Sequence, residues 1–267
     1  MSARDPGLAF TDGALQFESW AQKLWDPMGR DVAETAVLQP GEKVLDACCG
    51  AGAATVPAAL AVGPTGTVDG VDLSTGLLRM AAANLGERRI LNTTLTEADV
   101  TQWRGHRIFD AVLCSYSMFF FSDMEAGVEH LVSLLRPGGR LVTSTWVEGA
   151  LEPFASLIRD AAVKERPRLA DVVPLPNQNM AKVASPALLA AWLGERGLED
   201  VSISTHPLTL SVDADMAWNL VMGSGWRTLL PRDPEAIARV RREFIHSVGP
   251  QVEMNSDALI GIGSVPA

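Results

Sequence analysis

The sequence predicts an α/β protein built on a doubly wound, mainly parallel sheet. Over residues 43–146 short apolar runs alternate five times with helical patterns, which is the signature of parallel strands covered by helices on both faces. A chain of 267 residues that is 47% apolar can also bury a large core without help from metal or disulfides.

The elements follow in order. "KVLDA" reads as the first strand, and a helix is expected over residues 54–62. "GTVDGVDL" is the second strand, after which Ser74 is placed to cap the helix "TGLLRMAAANLG". "NTTLTEAD", rich in Thr, is the third strand, and "FDAVLCSY" the fourth. Ser122 or Asp123 caps "MEAGVEHLVSLL", which ends at the turn "RPGG" before the fifth strand, "RLVTSTW". Beyond Trp146 the rhythm breaks into one helical stretch and a Pro- and Asn-rich segment. Patterning resumes at Ser185, an N-cap followed by proline at the first helical position, opening "ALLAAWLGERG". One strand, "DVSISTHPLTLSV", a mostly helical stretch over 216–247 and a last strand, "ALIGIGSV", complete the reading. The helical stretch over 17–38 and two excursions near 148–184 and 213–252 are surplus to the sheet, and such segments at a ligand edge usually form a lid or a substrate wall.

Charge and cysteine content narrow the function. With 22 basic against 32 acidic residues the net charge is −10, which argues against a nucleic-acid partner. The opening "MSARDPGLAF" has no signal-peptide character and no uncharged run is long enough to cross a bilayer, so a soluble, cytoplasmic protein is expected. Cys48, Cys49 and Cys114 have neither CxxC spacing nor a histidine at zinc-ligand distance, so they are read as reduced, buried thiols, and no metal is expected.

The chemistry concentrates in "VLDACCGAGAAT". A glycine-rich turn between strand and helix brings backbone N–H groups and a helix N-terminus toward a ligand. Asp46, Asp72 and Asp99 end the first three strands, so three acids line the carboxyl edge of the sheet, where open α/β sheets bind ligands. Asp72 stands where an acid accepts from both hydroxyls of a ribose. A dinucleotide loop needs G-x-G-x-x-G, but Thr55 occupies the third glycine's place, and Asp46 suits a ligand that carries a cation.

These residues resemble the class I S-adenosylmethionine-dependent methyltransferases. "VLDACCGAG", "GVDLS", "EADV", "FDAVLCSYSMFFFSD" and "LLRPGGRLV" match that family's motifs in order across residues 40–146, and "ALIGIGSV" fits its antiparallel final strand. The resemblance is greatest to small-molecule members similar to the ubiquinone and menaquinone biosynthesis methyltransferases and to those tailoring bacterial natural products. It implies a Rossmann-like, seven-stranded sheet in a single methyltransferase domain: a helical cover over 1–39, a cofactor-binding core over 40–147, and substrate-side insertions at 148–184 and 213–252. The cofactor implied is S-adenosyl-L-methionine and the partner a small-molecule acceptor. Asp46 would face the methionine ammonium, and Cys48, Gly50 and Ala51 would line the methionine end through their backbone. Asp72 would hold the ribose, Leu73 pack on adenine, Asp99 accept from the adenine amino group with Val100 beside it, and Ser115 approach the sulfonium. Cys48 departs from the usual glycine. The aromatic that covers the cofactor would be Trp20 or Trp25.

The reaction implied is methyl transfer to an O, N or C nucleophile of a small, partly apolar metabolite of secondary or quinone-like metabolism. The alternative is a protein of the same fold that binds the cofactor without transferring methyl, as a cyclase-type enzyme or scaffold. "MFFF" at 118–121 is either core or an apolar substrate wall, and "GSGWR" at 223–227 either a kinked helix or a substrate loop. Tyr116, Glu148, Glu152 and His206 are candidates for a base or orienting group, but no partner motif fixes any of them.

Overall fold

The computed structural model describes residues 6–105 and 108–267, so the first five residues of the expected cover lie outside it. Its main sheet has seven strands: β1 (Lys43–Ala47), β2 (Thr67–Asp72), β3 (Thr93–Glu97), β4 (Phe109–Ser115), β5 (Leu135–Trp146), β6 (Glu199–His206) and β9 (Ala258–Ser264). Their order is β3-β2-β1-β4-β5-β9-β6, with β9 antiparallel to both neighbours and β1 to β5 parallel. The chain winds outward from β1 in both directions, and the crevice opens where the order reverses, between β1 and β4.

Alternation along the strands sorts the core into two layers. Val44, Ala111, Leu113, Val142 and Ile260 pack against α3 (Asp26–Thr35) and α4 (Thr55–Val62). Leu45, Val112, Leu141 and Leu259 face the other way, in the larger cluster that takes in α6 (Met124–Ser133) and α9 (Pro186–Gly194). The helix starts follow the expected cap chemistry. Ser74 accepts from Leu77 N at the head of α5 (Thr75–Glu87), Ser185 from Leu188 N at α9, and Asp123, rather than Ser122, from Ala126 N at α6.

Three details depart from the sequence reading. Helix begins earlier than the stretch expected over 17–38, with α1 (Pro6–Asp12) and α2 (Ala14–Glu18), and reaches α3 through a π-turn, Ala21–Trp25. "RPGG" is no simple turn: β5 starts at Leu135, which pairs with Phe109, and the next register pair is Ala111 with Arg140, so 136–139 bulge out of the ladder. "DVSISTHPLTLSV" splits at Pro207, which has no N–H for a ladder. The chain leaves the main sheet there and forms β7 (Thr209–Asp213), which pairs with β8 (Gln251–Asn255) in a separate ribbon. The first excursion carries α7 (Phe154–Glu165) and α8 (Leu175–Ala181), and the second α10 (Ala214–Met222) and α11 (Pro234–Val248).

At the sheet edge away from the crevice, Arg140 of β5 anchors α3. Its Nη1 and Nη2 donate to the two oxygens of Glu42 at 3.0 and 2.6 Å, and its Nε donates to Ala36 O at 2.5 Å. Both side chains are mostly buried, at 15% and 13% exposure, so removing one leaves the other without a countercharge. Glu42→Ala is expected to cost about 3 kcal/mol of stability, read from the urea midpoint at unchanged slope.

Candidate cofactor site

The loops after β1 and β2 meet on a single carboxylate. Asp72 Oδ2 accepts from Gly50 N at 2.9 Å, and Oδ1 from Ser74 N at 2.7 Å. The β1–α4 loop can fold over it because Cys48, Gly50 and Gly52 take positive φ of 59°, 53° and 93°. Cys48 thus adopts a left-handed conformation that glycine enters freely and other residues rarely do. Cys49 turns beneath the loop: a Cβ placed on Gly70 of β2 would lie 3.1 Å from its Sγ.

Asp46 lies deeper, at 1% exposure, where its Oδ2 accepts from Thr55 Oγ1 at 2.5 Å. Burial pushes its carboxyl up to about 7 from the usual 3.8; the Asp72 charge adds to the rise, and hydrogen bonds from Thr55 oppose it. Asp72 is also raised by burial, against the lowering effect of backbone N–H groups of Ser74, Gly50 and Leu73. Asp46, buried, and Asp72, partly buried, make a site that favours a positively charged group. Beside them Leu73 stands half exposed, at 50%, an apolar surface at the end of β2. Asp99 follows β3, accepting from Thr101 N at 3.0 Å, Thr101 Oγ1 at 2.7 Å and Gln102 Nε2 at 3.2 Å, with Val100 buried next to it. Ser115 ends β4, its hydroxyl 3.4 Å from that of Ser144. The structure therefore brings Asp46, Cys48, Gly50, Ala51, Asp72, Leu73, Asp99, Val100 and Ser115 to one edge of the sheet, after β1, β2, β3 and β4.

The thiols are not poised for chemistry. Burial raises Cys114 to about 12 and pushes Cys48 and Cys49 well above the ordinary thiol range, the acids Asp46 and Asp72 adding to the effect at the adjacent pair. They are protonated near neutral pH and act by shape.

The helical cover lies directly on the loops. Ala14 of α2 joins Ala51 and Leu77 in a small buried cluster flanked by Phe10, Phe17 and Met80, and Thr11 Oγ1 sits 3.0 Å from Ser74 Oγ. Phe17 is the aromatic over the glycine loop: a Cβ on Gly50 would lie 3.9 Å from its ring. Trp25 stacks behind Phe17 at 4.8 Å between centroids and donates Nε1 to its carbonyl, whereas Trp20 is fully buried with its Nε1 on Met216 O. Sequence reasoning passed over Phe17, although its separation of seven residues from Phe10 places both on one helical face.

Of the candidate bases, Tyr116 and His206 share a neighbour in Asp31. Glu148 and Glu152 are exposed; Glu152 accepts from Ser156 N beside the start of α7. His206, on the strand at the sheet's edge, has both ring nitrogens engaged, Nδ1 with Asp31 Oδ2 at 3.1 Å and Nε2 with Ser204 Oγ at 2.9 Å. Tyr116 has φ of 50°, donates its N–H to Ser144 Oγ at 3.1 Å and rests its ring on Trp146 at 4.5 Å; burial pushes its hydroxyl up. Of "MFFF", Met118, Phe119 and Phe121 are core, while Phe120 is half-buried against Phe10 at 5.7 Å.

The chain is similar to known proteins. Residues 44–139 match the family described as methyltransferase domain. Aklanonic acid methyltransferase DauC of Streptomyces sp. (strain C5) is 33% identical over 148 residues, 55% of this chain and 67% of the relative. Nocamycin O-methyltransferase of Saccharothrix syringae is 28% identical over 87% of this chain and 89% of its own. Demethylmenaquinone methyltransferase of Geobacillus sp. (strain WCH70) is 29% identical, over 48% of this chain and 55% of its own. Among solved structures, the YcgJ protein from Bacillus subtilis shares the fold, with a TM-score of 0.57 at 16% identity over 90% of this chain and 98% of that one. The strand order with its antiparallel β9, the acid-lined glycine loop and these relatives agree: the chain belongs to the class I S-adenosylmethionine-dependent methyltransferases.

Proposed function

We propose that this methyltransferase acts on an O, N or C nucleophile of a small, partly apolar metabolite of secondary or quinone-like metabolism, in the cytoplasm. The observation that carries the reading is the buried Asp46 with the partly buried Asp72 at the glycine loop, beside the apolar Leu73 and under an aromatic cover. That combination fits a ligand with an ammonium, a ribose and a flat ring. The relatives named for aklanonic acid, nocamycin and demethylmenaquinone support a small acceptor and favour transfer over cofactor binding alone. The free thiols Cys48, Cys49 and Cys114 accord with a reducing compartment.

The residues would divide the cofactor among them. Asp46 holds the ammonium, directly or through water, while the backbone of Cys48, Gly50 and Ala51 lines the methionine end. Asp72 takes the ribose hydroxyls, Leu73 the adenine face, and Asp99 with Val100 the adenine edge; Ser115 borders the reacting centre. S-adenosylmethionine supplies a methyl group already activated on a sulfonium, whose leaving group is a neutral sulfide. The protein therefore has chiefly to align the acceptor and exclude water, a role in which orientation is worth about 7–11 kcal/mol and a general base about 10² to 10⁴-fold. The insertions at 148–184 and 213–252 would wall the acceptor, with Phe120 on their inner side.

Formation of S-adenosylhomocysteine in the presence of a panel of small phenolic and quinone acceptors tests transfer. In Asp72→Ala, affinity for S-adenosylhomocysteine should fall at least tenfold by calorimetry, about 1.4 kcal/mol, and unchanged affinity in a folded variant removes the assignment. Single alanine changes at Tyr116, Glu148, Glu152 and His206 should each leave single-turnover transfer measurable; abolition by one of them, with binding intact, would make that residue the base.

Asp46 gives a pH signature. Its carboxyl titrates near 7 in the folded protein against 3.8 ordinarily, so between these values the folded state holds a proton that the unfolded state has lost. Its contribution to stability is complete below about pH 4 and declines as pH rises through 7. Asp46→Asn should flatten the melting temperature over that window. An ammonium beside Asp46 favours its charged form, so binding of S-adenosylhomocysteine near pH 7 should release part of a proton, seen as a binding heat that varies with buffer ionisation enthalpy. Asp46→Asn should abolish that release.

A further inference from the structure

Away from the glycine loop, the far end of the sheet brings a hydroxyl, an imidazole and a carboxylate into line. β6 is the last strand of the order, three strands from β4 and so about 14 Å away at the usual strand spacing. His206 ends it. Nδ1 of His206 lies 3.1 Å from Asp31 Oδ2 on α3, and Nε2 lies 2.9 Å from Ser204 Oγ. A carboxylate only accepts, so Nδ1 carries the ring proton and Nε2 is left to accept from the Ser204 hydroxyl. The other neighbour of that hydroxyl, Ile260 O, is farther away at 3.5 Å. Ser204 and His206 stand two residues apart on one strand and share a face, that of Ile260, which packs in the α3 layer. Arg140, which holds the end of α3 through Ala36 O, fixes the helix that carries Asp31.

The open edge supplies a backbone donor beside this hydroxyl. Ser256 N donates to Leu208 O, in register with the pairs His206–Ala258 and Ser204–Ile260. Antiparallel ladder bonds recur at every second residue, so Ser204 and His206 turn their backbone groups to β9, while Thr205 between them turns its N–H outward, away from the sheet. Thr205 is exposed. Nucleophile and base in hydrogen-bond reach, a third group that orients the base, and an N–H next in sequence to the nucleophile are the parts that acyl transfer requires.

We propose that Ser204, His206 and Asp31 form a second active site, which hydrolyses small carboxylic esters. Ser204 Oγ attacks the carbonyl carbon as its proton passes to His206 Nε2, and the Thr205 N–H stabilises the carbonyl oxygen as it becomes negative. Nε2 then gives the proton to the alkoxy oxygen as the C–O bond breaks, so the alcohol leaves neutral and the acyl group stays on Ser204. A water molecule yields a proton to Nε2 and attacks the acyl carbon; the acid departs and the proton returns to Oγ. One ester and one water become one acid and one alcohol. Asp31 is a positioning residue that holds the productive tautomer of His206. The acyl group is short, because Ser204 and Thr205 are both exposed and an open strand edge has no apolar pocket to hold a long chain. This activity is independent of the cofactor reading, and it gives a use to a histidine whose two nitrogens are already engaged.

Labelling and hydrolysis on the full chain test it. A fluorophosphonate probe should modify Ser204, located by peptide mass spectrometry, and His206→Gln should abolish that adduct. Hydrolysis of para-nitrophenyl acetate should fall at least tenfold in Ser204→Ala, while the affinity of this variant for S-adenosylhomocysteine stays unchanged. In Asp31→Asn the side-chain amide can donate to Nδ1 and so move the ring proton to Nε2; kcat for the ester should fall at least tenfold at unchanged KM, and Asp31→Glu should recover part of the loss. Labelling confined to other residues, or hydrolysis unaltered in folded Ser204→Ala, overturns the site. Should Ser204→Ala fail to fold, the position of the adduct on the unmodified chain decides.

Discussion

A carboxylate at the end of β2 that accepts N–H groups from two separate loops is the constraint on which the rest of the site is built. Strand order makes it feasible: β1 and β2 are parallel neighbours, so both of their exits open on one edge. Asp72 then draws the Gly50 amide toward the start of α5. This requires the left-handed backbone at Cys48, Gly50 and Gly52, and it sets Ser74 both to cap α5 and to meet Thr11 of the cover. Loop, helix start and cover are therefore positioned together. The carboxyl pays for its burial through those backbone donors, and enough of the desolvation remains uncompensated to hold its pKa above the ordinary range.

The two acids divide by depth, Asp46 buried and Asp72 partly buried. Asp46 points into the layer beneath α4 and has the Thr55 hydroxyl as its bonded partner, whereas Asp72 lies under the loop and accepts from backbone. Burial raises both carboxyls, opposed at Asp46 by hydrogen bonds from Thr55 and at Asp72 by the backbone N–H groups of Ser74, Gly50 and Leu73. A protein that keeps such groups has a use for them that an apolar pair would not serve.

Most of this was legible in the sequence because it depends on local chemistry. The strands ending in Asp46 and Asp72, the glycine turn and the caps Ser74 and Ser185 are written in residue types with definite backbone preferences. What was not legible depends on neighbours far along the chain. Trp20 and Trp25 were natural choices for the covering aromatic, but the π-turn between them sends Trp20 to α10 and Trp25 behind Phe17. His206 looked like a lone histidine until Asp31, on a helix at the other end of the chain, proved to be its partner. The single strand expected across Pro207 divided because alternation persists on both sides of the proline, whereas the ladder of the main sheet does not. The function of "GSGWR" was undecidable for the same reason: Gly223 is explained by the backbone of Gln16 and Phe17 and Gly225 by the Phe120 ring, and pattern along the segment carries no trace of them.

The β7–β8 ribbon sets Asp213 opposite Gln251, so the helical excursion between them leaves and re-enters the fold through adjacent residues. A segment closed at its neck in this way is topologically independent of the seven-stranded sheet. Changes of length within it need not alter the register of β6 and β9, whereas its contacts with the cover, Trp20 Nε1 on Met216 O among them, tie it to the helices over the loops after β1 and β2. The neck thereby fixes where the excursion stands relative to the sheet while leaving the length of chain beyond it free.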